Sequence, residues 1–456
     1  MTRCYNVSMQ KIIHGTAIDL SSEGKGVIKY HNDIIFVDGL FPEEEADVEI
    51  IYQRAGVYFG KVKKLYKLSK ERIQPKCKIC TSCGGCQYQQ LDYNAQLKYK
   101  TKRVKEALTR IAHIKCNVLS CIGANNPYNY RNKIQVPFVK DKKGVVKFGF
   151  YKENTHIIMP IKECVIEDKR AAPILWDIKL LLEEMNIPTY NEDSGKGILR
   201  YVLIRTSYHY DELMVVLVTT QMNFPGQRNF VNELVTRHPE ITTVVENVNS
   251  RHTNVILGNQ EKVLYGSGHI KDNILGLTFE ISASSFFQIN PEQVEKLYTV
   301  ALNLIDFNKK EVVLDAYSGV GTIGLIAARN AKRVLSVEIN KSAYKNAMEN
   351  AKRNNINNIE FMCADAGEFI SKSDEDIDIL IMDPPRSGSD ETFLSTVVNK
   401  RIKKIIYVSC NPETLARDIA YLSDYYKVTY VQPVDMFPMT AHVETIVCLC
   451  LRDKCN

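Results

Sequence analysis

The fold of this chain is decided by residues 311–324, which read EVVLDAYSGVGTIG. An apolar run with the character of a buried strand leads into a turn that contains Gly319, Gly321 and Gly324, and a helix can begin near Thr322. Glycines allow such a turn to fold tightly and to approach a ligand closely, and the first N–H groups of the helix are free to bind it. The stretch therefore predicts a nucleotide-like cofactor at the end of a parallel strand.

A second predicted strand, residues 333–337, ends at Glu338, about 20 residues beyond the turn, where a carboxylate can accept hydrogen bonds from ribose hydroxyls. The glycine spacing also fits the G-x-G-x-x-G pattern of dinucleotide-binding enzymes, so the turn alone leaves NAD and S-adenosylmethionine open. Asp315, at the strand end, has a placement common in methyltransferases. This placement and the chemistry predicted further along the chain favour S-adenosylmethionine.

Around this turn, predicted strands near residues 312, 334, 379 and 405 alternate with helical stretches, which is typical of a doubly wound α/β sheet. Residues 8–66 instead show short strands with glycine turns and predict a small OB-like β-barrel, a fold that often binds RNA. Strand-like runs and polar loops between residues 126 and 280 predict an α+β domain. The predicted fold class is α/β, with a Rossmann-like C-terminal domain, an N-terminal OB-like barrel and an α+β central domain.

The bulk composition is that of an ordinary globular protein with more than one domain. The chain has 456 residues, 45% of them hydrophobic and 25% charged. No window approaches the ~18 uninterrupted apolar residues of a membrane span, and the first residues lack the apolar region of a secretory signal. Thirteen cysteines in such a chain favour reduced thiols, metal ligation or catalysis over disulfides. We therefore predict a cytoplasmic protein with no membrane association.

Positive charge is concentrated in one part of the chain. Residues 51–110 hold 15 Lys or Arg against three acidic residues, whereas the formal net charge of the whole chain is only +6. Six tyrosines lie within the same block, and aromatic rings can stack on nucleic-acid bases. The block predicts a surface that binds RNA phosphates, although lysine-rich helices are also common as plain solvated surface.

The residues with reactive chemistry follow two later strands. Asp383 ends the apolar run 378–382 and is held there by two prolines in the segment 383–386, which reads DPPR. Asp-Pro-Pro followed by an aromatic residue is typical of amino-group methylation, and Arg386 argues against that chemistry. Cys410 follows the apolar run 404–408. Pro412 can open a helix there, which would place the sulfur near a helix N-terminus and favour the thiolate.

A thiolate and a base together can alkylate an unreactive pyrimidine carbon. Addition of the thiolate to carbon 6 of uracil makes carbon 5 nucleophilic, and a base must later remove the carbon 5 proton so that the thiolate can leave. Glu444 is the candidate base, and His442 is a weaker one. A buried structural cysteine and a strand-edge carboxylate are the alternatives for Cys410 and Glu444.

At this point the chain resembles the RNA (uracil-5-)-methyltransferase family, in particular its bacterial 23S rRNA branch. The resemblance covers nearly the whole length and rests on the barrel, the cysteine segment and the segments 285–291, 315–324, 383–386, 409–412 and 442–445. It implies a class I methyltransferase domain and an N-terminal TRAM domain. It also implies roles for six residues: Gln288, Tyr317, Glu338 and Asp383 line the S-adenosylmethionine site, Cys410 is the nucleophile and Glu444 is the proton-abstracting base.

The domain organisation that follows has three parts. Residues 1–68 form the TRAM-like barrel, residues 69–95 and 126–280 form a central iron–sulfur and RNA-binding domain, and residues 96–125 and 281–456 form the methyltransferase domain. The predicted reaction is methylation of carbon 5 of a specific uridine in 23S rRNA by a monomer, and 5-methyluridine formation in tRNA is the alternative.

Four closely spaced cysteines predict a metal site. Cys77, Cys80, Cys83 and Cys86 form the pattern C-x2-C-x2-C-x2-C, which suits zinc or a [4Fe–4S] cluster. The resembled family implies a structural [4Fe–4S] cluster on Cys77, Cys83, Cys86 and Cys164, and Cys80 then departs from the family pattern. No function is assigned to the remaining cysteines other than Cys410, namely Cys4, Cys116, Cys121, Cys363, Cys448, Cys450 and Cys455.

Three other functions stay open at this stage. A 5-methylcytidine transferase would use the same thiolate chemistry. A redox enzyme would use NAD and the iron–sulfur cluster. An RNA-binding module with an inactive catalytic domain is the third, and the intact Cys410 and Glu444 argue against it.

Overall fold

The computed structural model describes residues 11–152, 155–253 and 255–452. The first ten residues of the predicted barrel domain, Cys4 and Cys455 lie outside the described residues. Within those ranges the structure contains no helix with the length and apolar character needed to cross a membrane.

The N-terminal part is a closed five-stranded barrel, which confirms the predicted OB-like fold. Alternate residues such as Ile28, Ile35 and Val48 are buried in its small core because successive strand residues point to opposite faces. Only glycine fits at position 26, where two segments of the barrel pack closely, since a Cβ there would lie 2.4 Å from the Leu40 carbonyl oxygen. The strands join in the order β1-β2-β3-β5-β4, with bounds β1 (Ile12–Leu20), β2 (Gly26–Tyr30), β3 (Asp33–Asp38), β4 (Glu45–Arg54) and β5 (Val57–Lys67).

The central part is built on a seven-stranded sheet and a separate hairpin. The sheet has the order β12-β11-β10-β9-β6-β7-β8, and β13 pairs with β14. The elements are α1 (Cys80–Cys83), α2 (Tyr93–Arg110), β6 (Lys133–Lys140), β7 (Val146–Tyr151), β8 (Ile158–Pro160), α3 (Ala171–Glu184), β9 (Leu199–Thr206), β10 (Leu213–Thr219), α4 (Gln227–Arg237), β11 (Thr243–Val248), β12 (Gln260–Tyr265), β13 (His269–Ile274) and β14 (Leu277–Ser282).

Strand β10 is buried at every position because both faces of the central sheet are covered. Val215 and Leu217 pack in a core with helices α3 and α4. Met214, Val216 and Val218 belong to a different core, which they share with the β13–β14 hairpin and the C-terminal domain. The central sheet therefore forms one wall of the catalytic domain's own core.

The C-terminal part is the predicted Rossmann-like α/β domain, and the fold class is confirmed. Its sheet has the order β17-β16-β15-β18-β19-β21-β20, in which β15 to β19 run parallel and β21 is antiparallel. The elements are α5 (Pro291–Asn303), β15 (Val312–Ala316), α6 (Thr322–Ala328), β16 (Arg333–Val337), α7 (Lys341–Arg353), β17 (Ile359–Met362), α8 (Ala366–Lys372), β18 (Ile379–Met382), α9 (Glu391–Asn399), β19 (Lys404–Ser409), α10 (Pro412–Leu422), β20 (Tyr426–Val434) and β21 (Glu444–Leu451).

The strand order gathers the predicted site residues at one edge of this sheet. The order reverses at β15, which lies between β16 and β18, and ligands bind at the carboxyl ends of strands around such a switch point. Tyr317, Glu338, Asp383 and Cys410 each follow the end of a parallel strand within one or two residues. The topology therefore brings residues from distant parts of the chain to the same cleft.

Helix α2 fastens the first part of the chain to the C-terminal domain. Lys100 and Asp435 form an ion pair of 2.5 Å between two side chains that are both fully buried. The Tyr93 hydroxyl donates to the other oxygen of Asp435 at 2.8 Å. Nearer the end of the helix, Arg103 pairs with Glu413 of α10 at 2.7 Å. Since residues 435–443 lead directly into Glu444, these contacts fix the segment on which the candidate base depends.

Candidate active site

The glycine turn holds Glu338 in place through its backbone. Gly319 N–H donates to one carboxylate oxygen of Glu338 at 2.8 Å, and Asn340 N–H donates to the other at 2.7 Å. Each carboxylate oxygen can accept more than one hydrogen bond, so lone pairs remain for ribose hydroxyls. Gly319 and Gly321 have φ values of 57° and 80°, a left-handed conformation that glycine adopts without steric cost.

Asp315 lies beneath the turn and explains the third glycine. A Cβ at Gly324 would lie 2.5 Å from Oδ2 of Asp315. Among the described residues this oxygen has no hydrogen-bond partner, although it is buried. Burial raises the pKa of Asp315 well above its usual value. A buried acceptor without a donor suits a site where a ligand's polar hydrogen completes the bonding.

Tyr317 has φ of 64° although it is not a glycine, so the turn holds it in a strained conformation. Its ring packs on Phe393 with 5.5 Å between centroids, and its hydroxyl donates to the Ser389 hydroxyl oxygen at 3.4 Å. Ser389 is fixed in turn by Asp418, which accepts from the Ser389 N–H at 2.9 Å and from the Tyr407 hydroxyl at 2.6 Å. A buried network therefore supports the tyrosine from behind.

The three reactive side chains lie on neighbouring strands. Cys410 follows β19, Asp383 follows β18, and Glu444 begins β21, which pairs with β19 through Ser409 and Thr445. Burial raises the pKa of Glu444 to about 8, with a further contribution from Asp383, and burial raises the pKa of Asp383 to about 7. Neither carboxylate takes part in an ion pair or hydrogen bond in the described part of the chain.

The thiol of Cys410 differs from the sequence-based expectation. We expected the start of the following helix to favour the thiolate, but burial, Glu444 and Asp383 raise the pKa of Cys410 to about 11. Arg386 acts in the opposite direction, yet it does not outweigh the removal of the sulfur from water and the two carboxylates. Burial and the two carboxylates therefore oppose the thiolate form of Cys410.

Helix α10 begins directly behind the cysteine, as its sequence predicts. The Asn411 side chain caps the helix by accepting from the Glu413 N–H at 3.1 Å, and Pro412 occupies the first turn. Asn411 also donates to the Arg386 carbonyl oxygen at 3.1 Å, and the Thr414 hydroxyl donates to the same oxygen at 3.1 Å. These bonds tie the 383–386 segment and the cysteine into one rigid unit.

Tyr298 is a site residue that sequence reasoning missed. It lies buried on α5, its hydroxyl is hydrogen-bonded to the Gln288 side chain, and burial together with Asp383 raises its pKa. In the sequence it is one of several apolar residues on a helix face, beside Val294 and Leu297, and no local signal separates it from ordinary core. Only its position in three dimensions identifies it as the neighbour of Gln288.

His442 does not have the properties of a strong base. Burial lowers its pKa to about 4, and Arg386 and Arg103 add to this effect. Its ring packs edge-on against Phe437 with 6.0 Å between centroids. A group that holds a proton so weakly at neutral pH is a poor proton acceptor, which leaves Glu444 as the better candidate.

The predicted metal ligands are neighbours but are not assembled into a site. Across residues 11–152, 155–253 and 255–452, no three or more His, Cys, Asp or Glu side chains are placed to hold a metal ion. The charge on Cys86 is coupled to Cys83 and Cys77, and that on Cys164 to Cys86. Burial raises the pKa of Cys83, Cys86 and Cys164. The ligand set therefore stays a prediction.

The basic block proves to have two parts. In α2 and the residues before it, most cations are paired within the protein, for example Lys98 with Glu71 at 3.1 Å. In β5, by contrast, three exposed lysines take part in no ion pair within the described ranges, namely Lys61, Lys64 and Lys67. The barrel also carries Tyr52 stacked on Phe59 with 4.6 Å between centroids. Lys70, Lys76, Lys78 and Lys105, outside the barrel, are also exposed and take part in no ion pair within the described ranges, so the expected polyanion surface stays a prediction for the whole block.

Three comparisons with known proteins agree with this geometry. A family model described as tRNA (uracil-5-)-methyltransferase matches residues 250–452. An RNA methyltransferase of Staphylococcus aureus is 39% identical over 450 residues, which are 98% of this chain and 99% of that protein. Another from Clostridium acetobutylicum is 42% identical over 443 residues, which are 96% of each chain. Both relatives are described as uncharacterized RNA methyltransferases.

A solved structure extends the likeness to nearly the whole fold. The tRNA (uracil-54, C5)-methyltransferase of Pyrococcus abyssi, crystallised in complex with S-adenosyl-L-homocysteine, superposes with a TM-score of 0.80 at 28% identity. The match covers 96% of this chain and 100% of that one.

Proposed function

The chain belongs to the RNA (uracil-5-)-methyltransferase family, and we propose that it methylates carbon 5 of a specific uridine in 23S rRNA with S-adenosylmethionine as methyl donor. The observation that carries the proposal is the meeting of Cys410, Asp383 and Glu444 on adjacent strand ends beside the glycine turn. A thiol, a carboxylate base and a nucleotide-like site in one cleft are the groups that this reaction requires.

The cofactor residues are Gln288, Tyr317, Glu338 and Asp383. Glu338 would receive the ribose hydroxyls, since its carboxylate is oriented by two backbone N–H groups. The unpartnered oxygen of Asp315 could accept a polar hydrogen of the donor. When bound, S-adenosylmethionine supplies an electrophilic methyl group on a sulfonium.

The chain's own residues carry out the other steps. The Cys410 thiol gives up its proton to water, and the thiolate sulfur forms a bond to carbon 6 of the uracil, which places the electron pair on carbon 5. Carbon 5 then takes the methyl group as the bond between that group and the donor's sulfur breaks. Glu444 removes the carbon 5 proton, and the carbon 6–sulfur bond breaks to restore the ring and release the Cys410 thiolate. A carboxyl group with a pKa of about 8 beside a thiol is suited to exchange protons near neutral pH.

A mechanism-based trap tests this proposal. RNA in which 5-fluorouridine replaces the target uridine should form a stable covalent adduct, because fluorine cannot leave as a proton would. The adduct should appear on denaturing gels with the wild-type chain and S-adenosylmethionine, and be absent with Cys410→Ala. Cys448→Ala, which removes a buried thiol on β21, should still form it and serves as the matched control. Wild-type protein that never forms the adduct would rule out the thiolate route.

Base analysis of the product separates the alternatives. Recovery of 5-methylcytidine would show that the substrate is cytidine and not uridine. A rise in melting temperature with S-adenosylmethionine and none with NAD would exclude the redox function, because a ligand of the native state stabilises it. An RNA-binding module with an inactive domain would bind RNA but yield no methylated base.

The ribosomal target is proposed over tRNA because the barrel and the cysteine segment are features of the ribosomal branch that the chain resembles. The tRNA alternative is favoured by the neighbour that modifies uracil 54 of tRNA. Mapping of 5-methyluridine in 23S rRNA and in tRNA from cells that lack this protein decides between them. We also propose that the enzyme acts as a monomer in the cytoplasm, where such RNA is processed.

We further propose the three-part division at residues 1–68, 69–95 with 126–280, and 96–125 with 281–456.

We also propose a structural [4Fe–4S] cluster on Cys77, Cys83, Cys86 and Cys164. The close spacing of the thiols and the electrostatic coupling of Cys86 to Cys164 support it. Protein purified without air should contain iron and acid-labile sulfide, and Cys164→Ser should lose both. Purified protein that contains zinc and no acid-labile sulfide would show a zinc site in place of the cluster.

A further inference from the structure

Two cations stand opposite each other on the central sheet. Lys133, the first residue of β6, pairs across the antiparallel ladder with Arg205 of β9. Residues directly opposite in such a ladder point to the same face, with their Cβ atoms about 5 Å apart, and like charges there are destabilising. Within the described ranges Lys133 forms no hydrogen bond or ion pair. Glu261 attracts the charge of Arg205, whereas only cations act on Lys133, so it is the lysine that lacks an anionic partner.

Arg205 is in no position to move away from Lys133. Its side chain is buried, and its guanidinium donates to the carbonyl oxygens of Ala283, at 3.2 Å, and of Ser285. Its Nε has no hydrogen-bond partner among the described residues, although it is buried. Glu261 and the two carbonyl oxygens therefore hold the guanidinium in place behind Lys133, which is half-buried and remains accessible.

The two cations lie next to the proposed catalytic cleft. Arg205 holds the loop that leads from Ala283 to Gln288. On the other side, Asn132 donates to the Gln288 carbonyl oxygen at 3.1 Å, and its N–H donates to the Ile289 carbonyl oxygen at 3.0 Å. Because Lys133 directly follows Asn132, its side chain projects from a backbone that is fixed to the cofactor loop.

The electrostatics of the site are consistent with a missing anion. Burial, Arg205 and Arg131 lower the pKa of Lys133 to about 8. Arg131 also has a buried Nε without a partner in the described part of the chain. Arg131 acts on Glu167 and Arg205 on Glu261, so an anion bound here would mainly offset the repulsion and the burial cost of Lys133.

We propose that Lys133, supported by Arg205, binds a phosphate of the RNA backbone next to the target uridine. This inference rests on the proposed function, because it takes RNA as the ligand and the cleft beside Gln288 as the place where the base enters. A phosphate contact carries no sequence information, so the site holds the strand in register while the base is selected elsewhere. The carboxylate of the methyl donor is the competing anion, and the experiment separates the two.

The test measures RNA affinity as a function of salt with Lys133→Gln. Each phosphate contact that is lost reduces the slope of log K against log salt concentration by about 0.7 to 0.9, so the variant should bind about tenfold more weakly at low salt and show a slope smaller by that amount. Unrelated RNA should lose affinity to the same extent. Lys133→Arg should keep the wild-type slope, because it keeps the charge.

Lys140→Gln is the matched control. Lys140 ends the same strand, is exposed, and lies on the opposite face, near Glu183. It should leave the slope unchanged. A wild-type slope in Lys133→Gln would overturn the proposal, and so would a loss of the melting-temperature rise with S-adenosylmethionine at unchanged RNA affinity. Failure of the proposed function would instead appear as a missing 5-fluorouridine adduct with wild-type protein, since the salt experiment requires no catalysis.

Discussion

Asp435 and Glu444 lie on the same C-terminal segment and are both buried, but their surroundings are opposite. Asp435 accepts from Lys100 at 2.5 Å and from Tyr93 at 2.8 Å. Glu444 accepts no hydrogen bond within the described ranges, and burial raises its pKa to about 8. The charge of Asp435 is balanced by a cation and hydrogen bonds, whereas Glu444 has no such partner, and its raised pKa allows it to exchange protons near neutral pH.

The same contrast divides a second pair. Asp418 is bound by Arg417, Tyr407 and the Ser389 N–H, whereas the half-buried Asp383 has no such partners in the described structure. Buried charges that are paired and hydrogen-bonded fix geometry, and buried carboxyls with raised pKa values move protons.

The largest effect is expected from removal of the base. Glu444→Gln keeps the shape of the side chain but cannot accept the carbon 5 proton, so turnover should fall by about 10² to 10⁴-fold. Methyl transfer itself does not need this group, and the variant should therefore accumulate a covalent RNA adduct with ordinary uridine. Single-turnover assays and denaturing gels measure both quantities.

Two results would contradict the role of Glu444. Full activity in Glu444→Gln would assign the proton transfer to another group. Loss of activity without any adduct would place the defect before the addition step. Glu413→Gln, which removes the partner of Arg103 on the neighbouring helix, is the control and should form no adduct with ordinary uridine.

Breaking the compensated region should instead reduce stability. Lys100→Met leaves Asp435 buried without its cation, which should cost about 3 to 5 kcal/mol in the free energy of unfolding. The double variant Lys100→Met with Asp435→Leu should recover part of that loss, because an apolar pair needs no compensation. Denaturant titration measures both, and a single variant within about 1 kcal/mol of wild type would show that the ion pair contributes little.

The pH dependence of stability follows from the uncompensated region. Because the pKa of Glu444 is raised, the folded state retains a proton that the unfolded state has lost, so the contribution of Glu444 to stability is largest below its unfolded pKa and is lost as the pH rises to about 8. The slope should be on the order of 1 kcal/mol per pH unit. Glu444→Gln should flatten the slope, whereas Glu349→Gln on the surface should not. An unchanged slope in Glu444→Gln would contradict the raised pKa.

The smallest effect concerns the network behind Tyr317. Asp418→Asn replaces an acceptor by a donor that faces Arg417 or the Tyr407 hydroxyl, and it should cost about 1 to 3 kcal/mol. The KM for S-adenosylmethionine should rise several-fold, because Ser389 no longer fixes the tyrosine, while kcat stays closer to wild type. Tyr407→Phe removes only one of these bonds and should have a smaller effect. Equal KM values in the wild type, Asp418→Asn and Tyr407→Phe would show that this network does not affect the binding of the cofactor.

Much of the fold could be predicted because its signals are local. The glycine turn, the strand ends at Asp383 and Cys410, and the cap at Asn411 are each visible within a few residues of sequence. The strand order was beyond such reasoning, since nothing near Glu444 indicates that its strand lies antiparallel beside β19. Yet that pairing is what brings the carboxylate to the cysteine.

The properties of the site were harder to predict than its members. The helix start at Pro412 favours a thiolate locally, but the carboxylates that raise the pKa of Cys410 come from two other strands. The proposed roles of Tyr298 and Lys133 likewise depend on contacts with residues that are distant in the sequence. The assignments of Gln288, Tyr317, Glu338, Asp383, Cys410 and Glu444 remain predictions that the experiments above address.

The core that Met214, Val216 and Val218 share with the C-terminal domain has a consequence for how this architecture can be divided. A gene fragment that ends before α5 would leave one wall of that core facing water, and the complementary fragment would leave the other. Neither fragment should remain soluble when produced alone, whereas co-expression of both fragments should restore the solubility of each. Recombination during evolution would have to exchange the two halves together.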